Sequence, residues 1–361
     1  MTNGIIGGKY ILENGTVFNI NKEILYFSTK RFIDDIVNGN CCFICGARPD
    51  SVSFNDEHIL PDWILRKYNL YSRTITIPNL MQYRYDQYKI PCCVRCNSLM
   101  GEEIEKPISI LFQNNYVDIV NILKKEGIEL LFKWLCLIFI KTHLKDKHLR
   151  YFLDKRKANV KIADLHDWEP LQHIHCISRS FYTNAVIDNA VFGTMLIIPA
   201  TLIKDIELFD YGDISSARTM FIRMNDTVVF TVFDDSCICG NAYNKLKNIN
   251  GSLSPIQIRE LMCRLAHINM NIITRPKYYS DFKEKYYIKA ALDKDYEIGE
   301  VDFNLLGELM YRQLHEMLKE MKNDDIEQII QHVKKGQYTF LFNEKGEFNG
   351  DSLIIRDKLN R

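Results

Sequence analysis

With 361 residues, 47% of them hydrophobic and 12% aromatic, the chain can fill the cores of about two domains, which excludes a disordered or low-complexity protein. Lys plus Arg and Asp plus Glu both number 46, so no global positive field draws the chain to nucleic acid, and any such binding has to come from a local patch. The N-terminal Met1-Thr2-Asn3-Gly4-Ile5-Ile6-Gly7-Gly8 lacks the basic start and long apolar run of a secretory signal, so a cytoplasmic location is expected.

In chain order, the residues 9–12 and 16–20 read as strands around Glu13-Asn14-Gly15, Asn-Gly being a hairpin signal. Eleven cysteines follow along the chain, six of them in two tight groups, Cys41, Cys42, Cys45 and Cys92, Cys93, Cys96. An odd total in such groups fits reduced, metal-binding thiols better than a disulfide framework. Two C-x-x-C units, Cys42–Cys45 and Cys93–Cys96, have the spacing of a tetrahedral four-thiolate zinc site, which is closed and therefore structural. Pairings from Cys41 and Cys92 stay open, but two-residue spacing is the tight-turn form.

Beyond the second unit, apolar residues recur at helical spacing over 102–125 and 129–144. The most apolar run, 130–140, is interrupted by Lys133 and stopped by Lys141, short of the ~20 residues a membrane span needs, and reads as a buried helix. A strand-rich middle comprises 171–177, 194–198, 219–224 and 227–233, the last two joined at Asn225-Asp226. Helices close the chain over about 255–273, opened by the capping Ser254, Pro255 and Gln257, and about 303–322. The fold class expected is α+β, with a small zinc-stabilised domain over 1–110 and a larger mixed domain over 111–361 serving recognition, regulation or oligomerisation.

Between the cysteine units lies Asp56-Glu57-His58-Ile59-Leu60-Pro61, and Asn97 directly follows the last cysteine. A carboxylate on Glu57 and an amide oxygen on Asn97 are hard donors suited to Mg2+ or Mn2+. His58, with an ordinary pKa near ~6.5, can take a proton from water at neutral pH. A hydrogen-bonded structural histidine and an Asn97 that merely caps the next helix are the plain alternatives.

These residues resemble the HNH endonuclease family with its ββα-metal fold, over about 41–107. The matching residues are Glu57, His58, Ile59, Pro61, Trp63, the second cysteine unit with Asn97, and Glu105 eight residues on. The resemblance implies His58 as general base, Glu57 and Asn97 as ligands of a catalytic Mg2+ or Mn2+, Glu105 as a further candidate ligand, and Cys42, Cys45, Cys93 and Cys96 as ligands of structural zinc. It also implies hydrolysis of DNA phosphodiester bonds, with double-stranded DNA as substrate, and a place in bacterial defence or mobile-element biology. Three positions depart from the pattern. Glu57 stands where many relatives have aspartate, with Asp56 able to substitute; Tyr88-Lys89-Ile90-Pro91 lacks the family's central asparagine; and Gly101 replaces a His or Lys. Pro107 should distort the helix that would place Glu105 beneath Asn97.

Arg66, Lys67, Arg73, Arg84, Lys89 and Arg95 face one acid, Asp86, between Trp63 and Asn97, and tyrosines interleave with cations over 82–89, a pattern for phosphate pairing and base stacking. His173 and His175 would share one face of the strand 171–177 and could bind metal, with an ordinary polar strand face as the plainer reading. Cys237-Ile238-Cys239 lacks metal-ligand spacing, and Asp234-Asp235 reads as a turn. The competing functional class is a non-catalytic zinc-ribbon nucleic-acid-binding or regulatory protein. A regulatory protein or ligand acting through 111–361 is the further partner expected.

Overall fold

The computed structural model describes residues 2–6, 8–202, 207–293, 295–321 and 325–350, the backbone alone over 2–6. It is a mixed α+β protein with several small sheets. The chain forms two compact units: residues 1–114, 122–191 and 277–291 in the first, residues 115–121, 192–276 and 292–361 in the second. The N-terminal unit thus extends well past a boundary at 110 and includes a late hairpin.

The first unit opens on a four-stranded antiparallel meander, β1 (Thr2–Ile6), β2 (Lys9–Leu12), β3 (Val17–Phe18) and β4 (Ile24–Tyr26). Gly15, at φ +82°, takes the left-handed turn conformation at the tip of the β2–β3 hairpin, as the Asn-Gly signal requires. A short helix α1 (Thr29–Arg31) leads through a π-helical turn (Phe32–Val37) into the first cysteine unit. Then come β5 (Phe54–His58), α2 (Asp62–Lys67), the β6 (Thr74–Thr76) and β7 (Gln82–Arg84) hairpin, β8 (Lys89–Cys93) and α3 (Val94–Met100). β5 and β8 pair antiparallel, with Glu57 opposite Ile90 and His58 opposite Lys89. Lys89, Ile90 and Pro91 therefore belong to the partner strand itself.

The helix expected over 102–125 is broken. After α3 the chain widens into a π-helical turn (Gly101–Glu105), where Lys106 N–H bonds the Gly101 carbonyl, then forms α4 (Lys106–Leu111) and, after a gap, α5 (Tyr116–Glu126). Pro107 supplies no N–H to the regular ladder, and the wider turn is one way a helix absorbs that loss. α6 (Glu129–Asp146) is buried almost throughout, including Trp134, Phe139 and Ile140. Among the described residues no helix is long and apolar enough to cross a membrane.

The strand expected over 171–177 is instead the helix α7 (Leu171–Ser178), which starts at Pro170; α8 (Ser180–Thr183) and β9 (Val186–Ile187) follow. Leu171, Ile174 and Ile177 recur every third residue, a helical spacing that the alternation through His173 and His175 obscures. The second unit builds a sheet in the order β10 (Met195–Pro199), β13 (Thr227–Val232), β12 (Thr219–Met224) and β11 (Phe209–Ile214). β12 and β13 are buried at every position and form the expected hairpin. A short helix α9 (Ile238–Ala242) and the long α10 (Pro255–Met270) come next. Gln257 Oε1 accepts from Ser254 N–H at the start of α10, as the capping pattern predicts. β14 (Lys277–Asp281) and β15 (Tyr287–Ala291) return to the first unit alongside β9. α11 (Phe303–Glu320) and α12 (Ile326–Lys334) complete the second, whose core joins Phe221 and Phe230 to Leu261, Leu265, Met310, Leu314 and Leu341.

Candidate functional site

The two cysteine units meet. Cys42, Cys45, Cys93 and Cys96 bring their sulfur atoms within 4.8 Å of one another. Cys45 Sγ lies 3.6 Å from Cys93 Sγ, close to the about 3.8 Å edge of a regular tetrahedron with zinc–sulfur bonds of about 2.3 Å. The cluster can hold a metal ion, and four thiolates suit a structural zinc. Without a cation the thiols share charge unequally: hydrogen bonds from Cys45, Cys92 and Cys96 hold Cys42 low, while Cys45 is pushed up to about 12, chiefly by its bond to Cys42. A divalent ion is what allows all four to ionise together. Cys92 Sγ approaches Cys42 Sγ at 3.9 Å and is buried, yet only the C-x-x-C set closes the cluster, and Cys41 lies outside it.

Local structure explains the rigidity of these turns. Gly46 N–H bonds the Cys42 carbonyl at 2.8 Å with Gly46 at φ +77°, and Cys42 N–H bonds Ala47 at 2.8 Å. Two buried side chains of the first unit clamp the same turn from outside. His175 Nε2 bonds the Phe43 carbonyl at 2.6 Å, and Arg179 donates to Ile44 at 2.6 Å and to Leu25 and Ile24 at 3.1 and 2.6 Å, tying the turn to β4. Sequence reasoning placed His175 on a strand face and missed Arg179; a fully buried arginine eight residues after the buried helical Leu171 carries no pattern signal. The ring of His173 stacks on Tyr278, with centroids 3.9 Å apart.

The second turn spans the junction of β8 and α3. Cys93 is the N-cap of α3, so Asn97 sits a turn inside the helix and is not its cap. Asn97 Nδ2 donates to Asn55 Oδ1 at 2.9 Å, which joins α3 to β5 and leaves the amide oxygen of Asn97 as its donor atom toward a cation. Successive side chains on a strand alternate, so Asn55 and Glu57 share one face of β5 while Asp56 and His58 share the other. Glu57 lies on the Asn97 side, 8% exposed, and Asp56 is exposed.

Glu57 already has a cation. Lys141 Nζ, from α6, donates to Glu57 Oε1 at 2.7 Å and to the His58 carbonyl at 2.9 Å, with Glu105 Oε1 at 3.5 Å. Glu105 thus reaches the same cluster through the widened turn, and burial raises its pKa to about 7 despite Lys141. His58 is partly buried, and desolvation together with Lys89 lowers its pKa below the ordinary histidine value while Asp62 and Glu57 oppose the shift. The shift favours the neutral ring, the form a base requires. After it, Ile59 N–H bonds the Tyr88 carbonyl, Pro61 opens α2, and Trp63 stacks on Trp134 at 6.3 Å. Gly101 has no atom within 4 Å of the place a Cβ would occupy, so the helix is open at this position.

The basic residues between the cysteine units are largely paired. Arg66 meets Asp62 at 2.5 Å, Arg84 meets Asp86 at 2.6 Å, Arg95 meets Glu23 at 3.1 Å, and Lys67 donates to the Phe112 carbonyl at 2.7 Å. Asp62 and Glu23 lie outside the stretch counted in the sequence, so the local excess is smaller than that count. Arg73 and Lys89 complete the set, Lys89 opposite His58 in the β5–β8 register. Exposed pairs of this kind are worth about 0–1 kcal/mol each and can exchange a carboxylate for a phosphate. The chain matches no protein-family model, no curated protein and no solved structure.

Proposed function

We propose that this chain is an HNH-type, metal-dependent endonuclease that hydrolyses phosphodiester bonds of double-stranded DNA. What supports the reading most is the order β5–β8–α3 closed by the four-cysteine cluster, with His58 ending the first strand and Asn97 one turn into the helix. In this reading the zinc fixes the scaffold. A Mg2+ or Mn2+ ion held by the Asn97 amide oxygen and the Glu57 oxygen not taken by Lys141 would supply charge stabilisation at the phosphate. His58, the last residue of β5 and on the face opposite Glu57, would have to meet the phosphate around the strand end, where a ring nitrogen would take the proton of the attacking water as the new bond to phosphorus forms and the 3′ oxygen leaves. Arg66, Lys67, Arg73, Arg84, Lys89 and Arg95 exchange their present partners for backbone phosphates. The second unit carries target recognition or binds a controlling protein or ligand, and the setting is cytoplasmic defence or mobile-element biology.

The second reading, a zinc-ribbon binding or regulatory protein without catalysis, draws on one observation: Glu57 is spent on Lys141. A plasmid-nicking assay with Mg2+ or Mn2+ separates the two. Wild type is expected to convert supercoiled plasmid, and His58→Ala to keep its zinc and circular-dichroism spectrum while losing at least ~100-fold in rate, within the range for a removed general base. Equal behaviour of the two proteins refutes the nuclease reading.

A further inference from the structure

Lys141 interrupts a buried apolar stretch of α6, between Ile138, Phe139, Ile140 and Leu144, and is itself 1% exposed. Its ammonium meets three oxygens: Glu57 Oε1 at 2.7 Å, the His58 carbonyl at 2.9 Å and Glu105 Oε1 at 3.5 Å. An ordinary lysine–carboxylate pair needs one acidic partner. Here one buried carboxylate, Glu57, and one partly buried, Glu105, share one ammonium, and a main-chain carbonyl turns the same way. Carboxylate and carbonyl oxygens converging on one point are the donor set of a hard divalent cation. What occupies that point is a side-chain tip held on a helix.

We propose that Glu57 Oε1, Glu105 Oε1 and the His58 carbonyl form a hard-cation site whose resident cation is the Lys141 ammonium, and that this ammonium keeps a divalent ion out of the space behind His58. The consequence is a division of labour at one strand end. The main chain at His58 is fixed by a cation that cannot dissociate, so its geometry does not vary with free Mg2+. Any exchangeable ion is confined to the Asn97 side of Glu57. Glu105, a candidate ligand from the sequence, serves the ammonium. None of this requires that His58 activate water.

The test titrates Mn2+ into the full, zinc-loaded chain and reads the free ion by electron paramagnetic resonance. Wild type and Glu105→Gln are expected to take up the same number of Mn2+ ions with the same affinity, because no ion uses Glu105. Lys141→Ala is expected to gain one Mn2+ per chain, bound at least ten-fold more tightly than any additional ion in wild type. That gain should disappear in Lys141→Ala/Glu105→Gln and persist in Lys141→Ala/Asn97→Ala, which separates it from the ion of the nuclease reading. A Lys141→Ala protein with native circular dichroism and zinc content that gains no ion overturns the proposal. So does a wild-type ion lost on Glu105→Gln, a comparison that leaves Lys141 in place and decides the matter even where Lys141→Ala does not fold.

Discussion

Asn97 is the residue on which two explanations divide most cleanly. Its amide nitrogen bonds Asn55 on an exposed part of the molecule, and it lies inside α3 with Cys93 as the cap. A purely structural Asn97 therefore contributes one surface hydrogen bond, about 0.5–1 kcal/mol. As a metal ligand it contributes much more to the reaction than to the fold. Asn97→Ala is expected to lower metal-dependent cleavage at least ~100-fold, about 2.7 kcal/mol in the barrier. Denaturant unfolding should move by less than ~1 kcal/mol, with zinc content unchanged. A stability loss that accounts for the whole loss of activity would remove Asn97 from the site. The spacing of Cys42, Cys45, Cys93 and Cys96 is local and was readable from sequence, and the cluster forms with those four sulfurs. The partner of Glu57 was not readable. Lys141 lies 84 positions away on a helix whose apolar composition made the lysine look like a simple terminator.

At the scale of elements, backbone chemistry was legible wherever a residue dictates its own conformation. The β2–β3 hairpin at Asn14-Gly15 and the start of α10 at Ser254 belong to this class. Elements set by tertiary contact were not. In α7 the polar His173 and His175 alternate with apolar residues as in a strand, whereas the helix is buried in the first unit at every position but His173, so alternation carries no information about it. The cysteine turn 42–46 tests how strictly such an element is held. Gly46 needs φ +77°, and a Cβ there would meet Phe27 Cζ at 2.7 Å and Ile24 Cδ1 at 3.0 Å. Phe27 is buried and clamped beside Arg179, with 4.5 Å from the guanidinium to its ring centre, so it has little room to yield. Gly46→Ala combines left-handed strain with overpacking, and a loss of about 2–4 kcal/mol in unfolding free energy is expected, together with weaker zinc retention against a chelator. A change under ~1 kcal/mol with zinc fully retained would mean that this turn is looser than its contacts imply.

For the molecule as a whole, stability should depend on pH in a direction that buried histidines set. His143 is buried in α6 beside Phe139 and His166, and desolvation brings its pKa down to about 3. The unfolded chain returns this ring to about 6.5, so between those values the unfolded state binds the extra proton. The contribution of neutral His143 is therefore complete above about pH 6.5 and drains away as pH falls toward 3. From pH 7.5 to 5 the loss is about 2 kcal/mol for one such group, from 1.36 kcal/mol per pKa unit. Metal-bound thiolates of the cysteine cluster would also protonate in acid, and His175, likewise at about 3, adds its own share, so a single curve does not isolate the cause. The difference between two curves does. Unfolding free energy of wild type and His143→Gln, measured by urea titration at steps from pH 7.5 to 5, should converge as pH falls, with the wild-type advantage shrinking by about 2 kcal/mol. Lines that stay parallel would show that His143 is protonated, or reached by water, within the folded protein, and acid sensitivity would then rest on the thiolates and His175.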